Sequence, residues 1–516
     1  MNLSKKLSKP DAGKLFMIGL YGTELNNENM NVLKSIEPGA IIIFSRNVET
    51  PEKLWKFTND ISNFLGYKPI FAVDQEGGNV LRLKDGFSNL PSPMACAATN
   101  EPELFYKGVG AMAKEMKAVG LDWDLAPVVD VNRNPFNPVI GIRSFGDDLE
   151  KVIEFGNLFV SACEENGVKT CLKHFPGLGD VIIDPHYSLP LVDKSYERLF
   201  KEDIPAFTKI RSDSWMPTHV AFPKIQKEIL PATLSKEMLR NMVRKELNYN
   251  GLLVADDLLM GGVSEVSIFD RLRLSFIGGM DLLTICHDPE TQIRAFNKFY
   301  DWINESIIED EEILERFNES YERVQNFKEK IDDIKVPLSV VNSREHREIM
   351  KEIYEKSVTL VNSKKIYFPI ERLDLVLTMV NIPNSPVNEN DLKNVPLVAK
   401  ELSKLYNAEV KIITPKTHLD IYDLKDKNII VITLDAYRDK KLSEFLIELD
   451  KISKLLLIAL RNPYDAFLVD DSLASYGSLE GQQRALIDAL VGKINIRGKL
   501  PIKRVSLENF ESGVNL

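Results

Sequence analysis

Eight short apolar runs, each separated from the next by an amphipathic or polar stretch, fill the first 300 or so residues of the chain. They are Lys14–Leu20, Ala40–Phe44, Ile70–Val73, Trp123–Val129, Lys169–Lys173, Trp215–Val220, Leu252–Ala255 and Asp281–Cys286. A run such as AIIIF offers no polar position to solvent, so it reads as a strand buried on both faces, as strands of parallel sheets are. Between the runs, Pro51–Leu65, Glu103–Val119, Leu149–Asn166, Ser235–Leu247 and Ser264–Gly278 carry apolar residues at three- and four-residue steps, the mark of helices with one buried stripe. Eight strands alternating with helices predict an α/β fold whose N-terminal part is a (β/α)₈ TIM-type barrel. Such barrels place their reactive groups after the C-terminal ends of the strands. Here Asp74 follows the third run, Asp130 and Asn132 the fourth, and Lys173 and His174 the fifth. His219 ends the sixth, Asp256 and Asp257 the seventh, and His287 the eighth.

From about Asp301 to Val336 the composition turns acidic and helical, with charges that read as a solvated face. Ser343–Ser357 reads as a further helix. A second alternating series then begins, with strands expected at Val358–Val361, Leu373–Val380, Glu409–Ile413, Asn428–Thr433 and Leu455–Leu460. Helices are expected at Glu389–Tyr406, Lys440–Leu449 and Glu480–Val491. The expected organisation is a catalytic barrel over residues 1–310, a helical linker over 311–345 and a smaller doubly wound α/β sandwich domain over 346–516. Neither half contains a GxGxxG or GxxxxGK[ST] phosphate loop, and there are no solenoid repeats.

A net charge of −11 weighs against a nucleic-acid partner and against attraction to anionic lipid. Cys96, Cys163, Cys171 and Cys286 are scattered, with no zinc-like spacing, and read as reduced core residues of a cytoplasmic protein. The basic N-terminus has only a short, interrupted apolar run and no small-residue cleavage site, and no stretch approaches a membrane span.

The densest chemistry lies in Lys173–Pro190, KHFPGLGDVIIDPHYSLP. Pro185 pushes Asp184 toward an extended conformation, which would project Asp184 and His186 the same way. A carboxylate that orients an imidazole makes a proton-transfer unit; the alternative is a surface turn. Of Asp256 and Asp257, one is expected to enter the pocket while the other braces the loop. The first would be a nucleophile, a base or a metal ligand, with a helix cap as the plain alternative. Asp74 with Arg82 near two glycines suits a polyol, or is a turn with an ion pair. Arg143 in GIRSFGDD is a weaker candidate, and His219 is equally readable as a satisfied core histidine.

As a set, KHFPGLGD with Asp184-Pro185-His186, VDQEGGNVLR, APVVDVN, GIRSFGDD, PTHVAFPKI and VADDLLM resemble glycoside hydrolase family 3, and within it the bacterial β-N-acetylhexosaminidase branch. The likeness covers roughly residues 10–300 and continues more weakly at LRNPYDAFL and GKINIRGKLPI, as in two-domain members. It implies retaining hydrolysis with Asp256 as nucleophile and Asp184 and His186 as the acid/base pair. It also implies sugar binding by Asp74, Arg82, Arg143, Lys173, His174 and His219, with no metal and no cofactor. The substrate would be a small glycoside or oligosaccharide, such as a peptidoglycan or chitin fragment; a homodimer is left open. Leu178, Val181 and Ile142 depart from the usual motifs (PGHGDT, and a Glu before the Arg of GxRSF) at positions that shape the pocket edge. A family 3 β-glucosidase or β-xylosidase, a β-N-acetylglucosaminide phosphorylase and an inactive sugar-binding protein remain as alternatives.

Overall fold

The structure is a computed structural model that describes residues 6–380, 394–417 and 420–504. All eight expected barrel strands form. They are β1 (Phe16–Gly19), β2 (Ala40–Ile43), β3 (Ile70–Val73), β4 (Trp123–Asp124), β5 (Lys169–Thr170, resuming as Leu172–Phe175), β6 (Ser214–Pro217), β7 (Leu252–Leu253) and β8 (Leu283–Ile285). Each pairs in parallel with the next, from Met17↔Ala40 and Ala40↔Ile70 to Leu252↔Ser214. β7 meets β8 through the bridge Val254↔Leu282, and β8 returns to β1 through Phe16↔Leu283, which closes the ring. The strands are shorter than the apolar runs because several runs curl into loops while still buried. The run Trp123–Val129 pairs as a strand only at its start, with Val128 rejoining the ladder opposite Lys173; Pro127 between them has no N–H to give.

The outer helices follow local rules. Pro51–Leu65 is capped by Thr50, whose hydroxyl accepts from the Lys53 N–H, starts with proline and stops at Gly66 in the left-handed region. Its buried face is Leu54, Phe57, Thr58 and Ile61. The acidic segment forms two helices, Pro289–Glu309 and Glu311–Glu329. The second does not present all its charges to solvent. Its Phe327 packs against Trp123 at 4.8 Å, and its buried Arg316 donates to the Met280 carbonyl (2.7 Å) and to Asp281 (3.0 Å). Asp281 also takes Arg323 and Arg244, and these guanidinium groups hold its carboxyl low against the upward push of burial. This helix packs into the same hydrophobic core as the barrel strands.

The second sheet has strands β9 (Thr359–Asn362), β10 (Leu375–Thr378), β11 (Glu409–Ile412), β12 (Asn428–Thr433), β13 (Lys454–Ala459) and β14 (Ser472–Ala474), in the order β9-β14-β13-β12-β10-β11. Among the described residues, only the β9–β14 pair of this sheet is antiparallel. β14 is three residues long and has no sequence signal of its own. Successive residues face opposite cores: Leu375, Leu377, Val431 and Leu457 on one side, and Val376, Ile430, Ile432 and Leu456 on the other. Helix Lys440–Ile452 covers the first face, and Leu397–Tyr406 and Glu480–Leu490 the second, a doubly wound sandwich. Residues 389–393 of the expected helix Glu389–Tyr406 lie outside the described residues. The first face also packs on Met94, Ala95 and Ile142 of the barrel domain. Among the described residues, no helix is long and apolar enough to cross a membrane.

Candidate active site

The polar residues at the strand ends converge on one cavity of about 290 Å³ at the C-terminal mouth of the barrel. Asp74, Arg82, Arg143, Lys173, His174, His186, His219 and Asp256 all line it. Asp184 lies behind His186. Glu76, Asp257 and His287 also line it, and Asp130 holds His174 in place.

The floor is a buried ion network. Lys173, at the end of β5, places its ammonium 2.7 Å from Asp74 Oδ1 and 2.6 Å from Glu76 Oε1. Arg143 grips Glu76 with two nitrogens, Nε to Oε2 at 2.8 Å and a terminal nitrogen to Oε1 at 2.7 Å. Arg82 approaches Asp74 Oδ2 at 3.8 Å. Burial pushes the Glu76 carboxyl up, but Arg143 and Lys173 outweigh it and hold the group well below the usual carboxylate range. Burial likewise opposes the Lys173 charge, and Asp74 and Glu76 overcome it and raise its pKa. Glu76 and Lys173 therefore stay charged, and the network presents fixed donors and acceptors, which is what recognition of sugar hydroxyls needs.

Two aspartate–histidine pairs stand above this floor. Asp130 Oδ2 accepts from the backbone N–H of His174 (3.1 Å) and from its Nδ1–H (2.8 Å), while Oδ1 accepts from the Leu178 N–H (2.6 Å). Asp184 Oδ1 accepts from the His186 backbone N–H (2.9 Å) and from its Nδ1–H (2.6 Å). The expected extended geometry at 184–186 is not what joins this second pair. The Tyr187 N–H donates to the Asp184 carbonyl, so the segment is a turn that the aspartate side chain itself caps. The turn is pinned to the loop after β7: Gly262 N–H donates to the Pro185 carbonyl (2.7 Å) and Gly261 N–H to the His186 carbonyl (3.1 Å). A Cβ on Gly261 would lie 2.5 Å from that His186 oxygen, so only glycine permits this approach.

Asp256 is half-buried at the end of β7 and accepts the Asp257 N–H at 2.8 Å. Burial raises its pKa, but the imidazoles of His219, His174 and His186 and the Asp257 N–H more than offset this and leave it below its ordinary value. Asp257 does brace its loop, accepting the Leu259 N–H, but it also lines the cavity and meets His287 Nδ1 at 3.1 Å. His219 combines both of its readings. It lines the cavity, yet both ring nitrogens are engaged: Nε2–H donates to the Asp257 carbonyl (3.0 Å) and Nδ1 accepts from the Thr233 hydroxyl (2.7 Å). Burial lowers its pKa and favours this neutral form.

One carboxylate group among the described residues has spacing suited to a metal, Asp180 with Glu202 and Asp203. The Lys194 ammonium already sits among them, 2.6 Å from Asp203 and 3.3 Å from Glu202.

The glycosyl hydrolase family 3 N-terminal domain matches residues 6–327. A β-hexosaminidase of Haemophilus influenzae is 33% identical over 290 residues, 54% of this chain and 82% of that protein. One of Pseudomonas aeruginosa strain LESB58 is 34% identical over 278 residues, 53% of this chain and 82% of that protein. Among solved structures, a family 3 β-N-acetylglucosaminidase from Paenibacillus sp. str. FPU-7 superposes with a TM-score of 0.86 at 28% identity, over 97% of this chain and all of that one. A β-glucoside phosphorylase superposes with a TM-score of 0.81 over 97% of this chain and 95% of that one; at 22% identity this is a likeness of fold alone. With the match spanning the barrel that carries the cavity, the chain belongs to glycosyl hydrolase family 3.

Proposed function

We propose that the chain is a retaining, exo-acting β-N-acetylglucosaminidase that removes a non-reducing terminal β-linked N-acetylglucosamine through a covalent glycosyl-enzyme on Asp256. The observation that carries this reading is the His186–Asp184 pair beside the half-buried Asp256, whose pKa is held below its ordinary value. With its Nδ1–H given to Asp184, His186 has Nε2 left to exchange protons, and the carboxylate stabilises the imidazolium. His174 has a similar partner but its side chain is only 7% exposed, against 17% for His186. The residue that must exchange protons with water is the more accessible one, and His174, its Nδ1–H given to Asp130, serves as a fixed sugar contact through Nε2.

Asp256 attacks the anomeric carbon as the bond to the leaving oxygen breaks, and His186 Nε2 delivers its proton to that oxygen. The carboxylate stabilises the oxocarbenium-like state on its face of the ring. His186, now neutral, takes a proton from water, the resulting hydroxide equivalent attacks the anomeric carbon, and Asp256 is released. Asp74, Glu76, Lys173, Arg143 and Arg82 hold the sugar hydroxyls through this cycle. Four buried, unpaired cysteines support a reducing, cytoplasmic setting.

The test is an initial-rate panel of aryl β-glycosides, run in phosphate and in a neutral buffer. The reading expects the N-acetylglucosaminide to be the best substrate, with free sugar as product in both buffers. A faster β-glucoside or β-xyloside would refute the substrate assignment. Sugar 1-phosphate in the phosphate arm would make the chain a phosphorylase.

A further inference from the structure

Among the described residues, the second domain contributes no side chain to the cavity lining, yet it grips the loop that carries Arg143. The grip is a three-residue turn, Ala436–Arg438, at the end of β12. Its Tyr437 hydroxyl donates to the Pro135 carbonyl at 2.5 Å. Its Arg438 guanidinium donates to the Phe136 carbonyl at 3.0 Å and the Asn137 carbonyl at 2.8 Å. The Tyr437 ring also packs on Phe136, with centroids 5.6 Å apart. Three consecutive carbonyls of the loop after β4 are thus held from the other domain.

The turn is itself stiff. The buried Asp465 accepts the backbone N–H groups of Ala436 (3.0 Å) and Tyr437 (2.7 Å). Asp435 before it accepts both the backbone and side-chain N–H of Asn462. Asn462 in turn lies against Gly141, where a Cβ would come within 2.3 Å of its Oδ1 and where φ is +45°.

On the barrel side the gripped residues lead directly to the site. Asn137 Oδ1 accepts the N–H groups of Val139 and Ile140, both at 2.9 Å, and Asn137 Nδ2 donates to the Leu178 carbonyl at 2.7 Å. The Ile140 carbonyl takes the Arg143 N–H, and the Val139 carbonyl takes its guanidinium. Val139, Arg143 and Leu178 all line the cavity. Asn137 therefore ties the loop bearing the Glu76-bound arginine to the loop bearing Asp184 and His186.

We propose that Arg438 and Tyr437 are positioning residues for the sugar pocket: the second domain sets Arg143 from outside the cavity by clamping the carbonyls of residues 135–137. This rests on the assignment of Arg143 to sugar binding. A misplacement of order 1 Å at such a site costs roughly 10²-fold. In the full-length protein, Arg438→Ala is expected to lower kcat/KM by about that factor, chiefly through KM, with an unchanged unfolding midpoint of the barrel tryptophans. Arg438→Lys should recover most of the loss, because an ammonium still reaches a carbonyl. In an Arg143→Gln background, Arg438→Ala should add little, since groups acting as a unit are not additive. If Arg438→Ala fails to fold, Tyr437→Phe carries the same test with a smaller rise in KM that also vanishes in that background. An unchanged KM, or losses that multiply, would overturn the clamp while leaving the pocket assignment standing. Should Arg143→Gln alone leave KM unchanged, the pocket assignment falls and the clamp with it.

Discussion

Glu76→Gln isolates the electrostatic role of the pocket floor, because it removes one charge and almost no volume. In the native chain Arg143 has both of its strong contacts on Glu76, at 2.8 and 2.7 Å. After the substitution the amide oxygen accepts one of these bonds and the Val139 carbonyl stays at 3.3 Å, but the guanidinium has lost its carboxylate. The Arg143 side chain is 6% exposed, so the charge is stranded away from water. Removing one partner of a buried ion pair costs roughly 3–5 kcal/mol. Lys173 fares better, since Asp74 stays 2.7 Å away. Asp74→Asn makes the natural control. Its side chain is 17% exposed, and Lys173 keeps Glu76 at 2.6 Å. Losing a charge-assisted hydrogen bond of that kind costs about 1.5–3 kcal/mol. Urea titration followed by tryptophan fluorescence measures both. Trp55, Trp123, Trp215 and Trp302 are the four tryptophans of the chain, and all precede the second sheet, so the signal reports the barrel. A Glu76→Gln variant within about 0.5 kcal/mol of wild type, the range of an ordinary surface change, would refute the reasoning. So would an Asp74→Asn variant that loses more stability than Glu76→Gln.

The same pair of proteins carries a pH prediction. The folded pKa of Glu76 lies below its unfolded value of 4.5, so its stabilisation is present above pH 4.5 and is lost as pH falls through the folded value. The stability gap between wild type and Glu76→Gln should therefore be widest above pH 4.5 and shrink on acidification; a gap that grows in acid would contradict the network. His186→Ala should cost about 10²–10⁴-fold with a poor leaving group and far less with a good one. Asp184→Asn should follow the same pattern, and the double mutant should be little worse than His186→Ala, in a kinetic cycle on two aryl glycosides of different leaving-group pKa. Losses that multiply would give Asp184 an independent role.

The barrel was legible because parallel strands buried on both faces cannot hide their composition: AIIIF and GLLVA have one structural use each. The strand ends then located most of the polar groups that line the cavity without any knowledge of contacts. Glu76 had a signal that was passed over, since it stands two residues after Asp74 in an extended stretch and so shares its side. Asp130 stands at a strand end, but its partners lie 44 and 48 residues away in the chain and no spacing rule links them. The pairing of Asp184 with His186 was expected for a partly wrong reason: Pro185 makes a turn capped by the aspartate, and both geometries bring the side chains together. The three-residue strand β14 and the grip of Tyr437 and Arg438 on residues 135–137 had no local signature, because each depends on pairing across long stretches of chain.

Covalent trapping shows which carboxylate is the nucleophile. A mechanism-based fluorosugar of the preferred configuration forms the glycosyl-enzyme but slows its hydrolysis, so the adduct survives digestion and peptide mass spectrometry. A single label on Asp256, absent from Asp256→Asn, is the expected result. A label on Asp257, which braces the neighbouring loop and meets His287, would contradict it, as would turnover that leaves no carboxylate labelled.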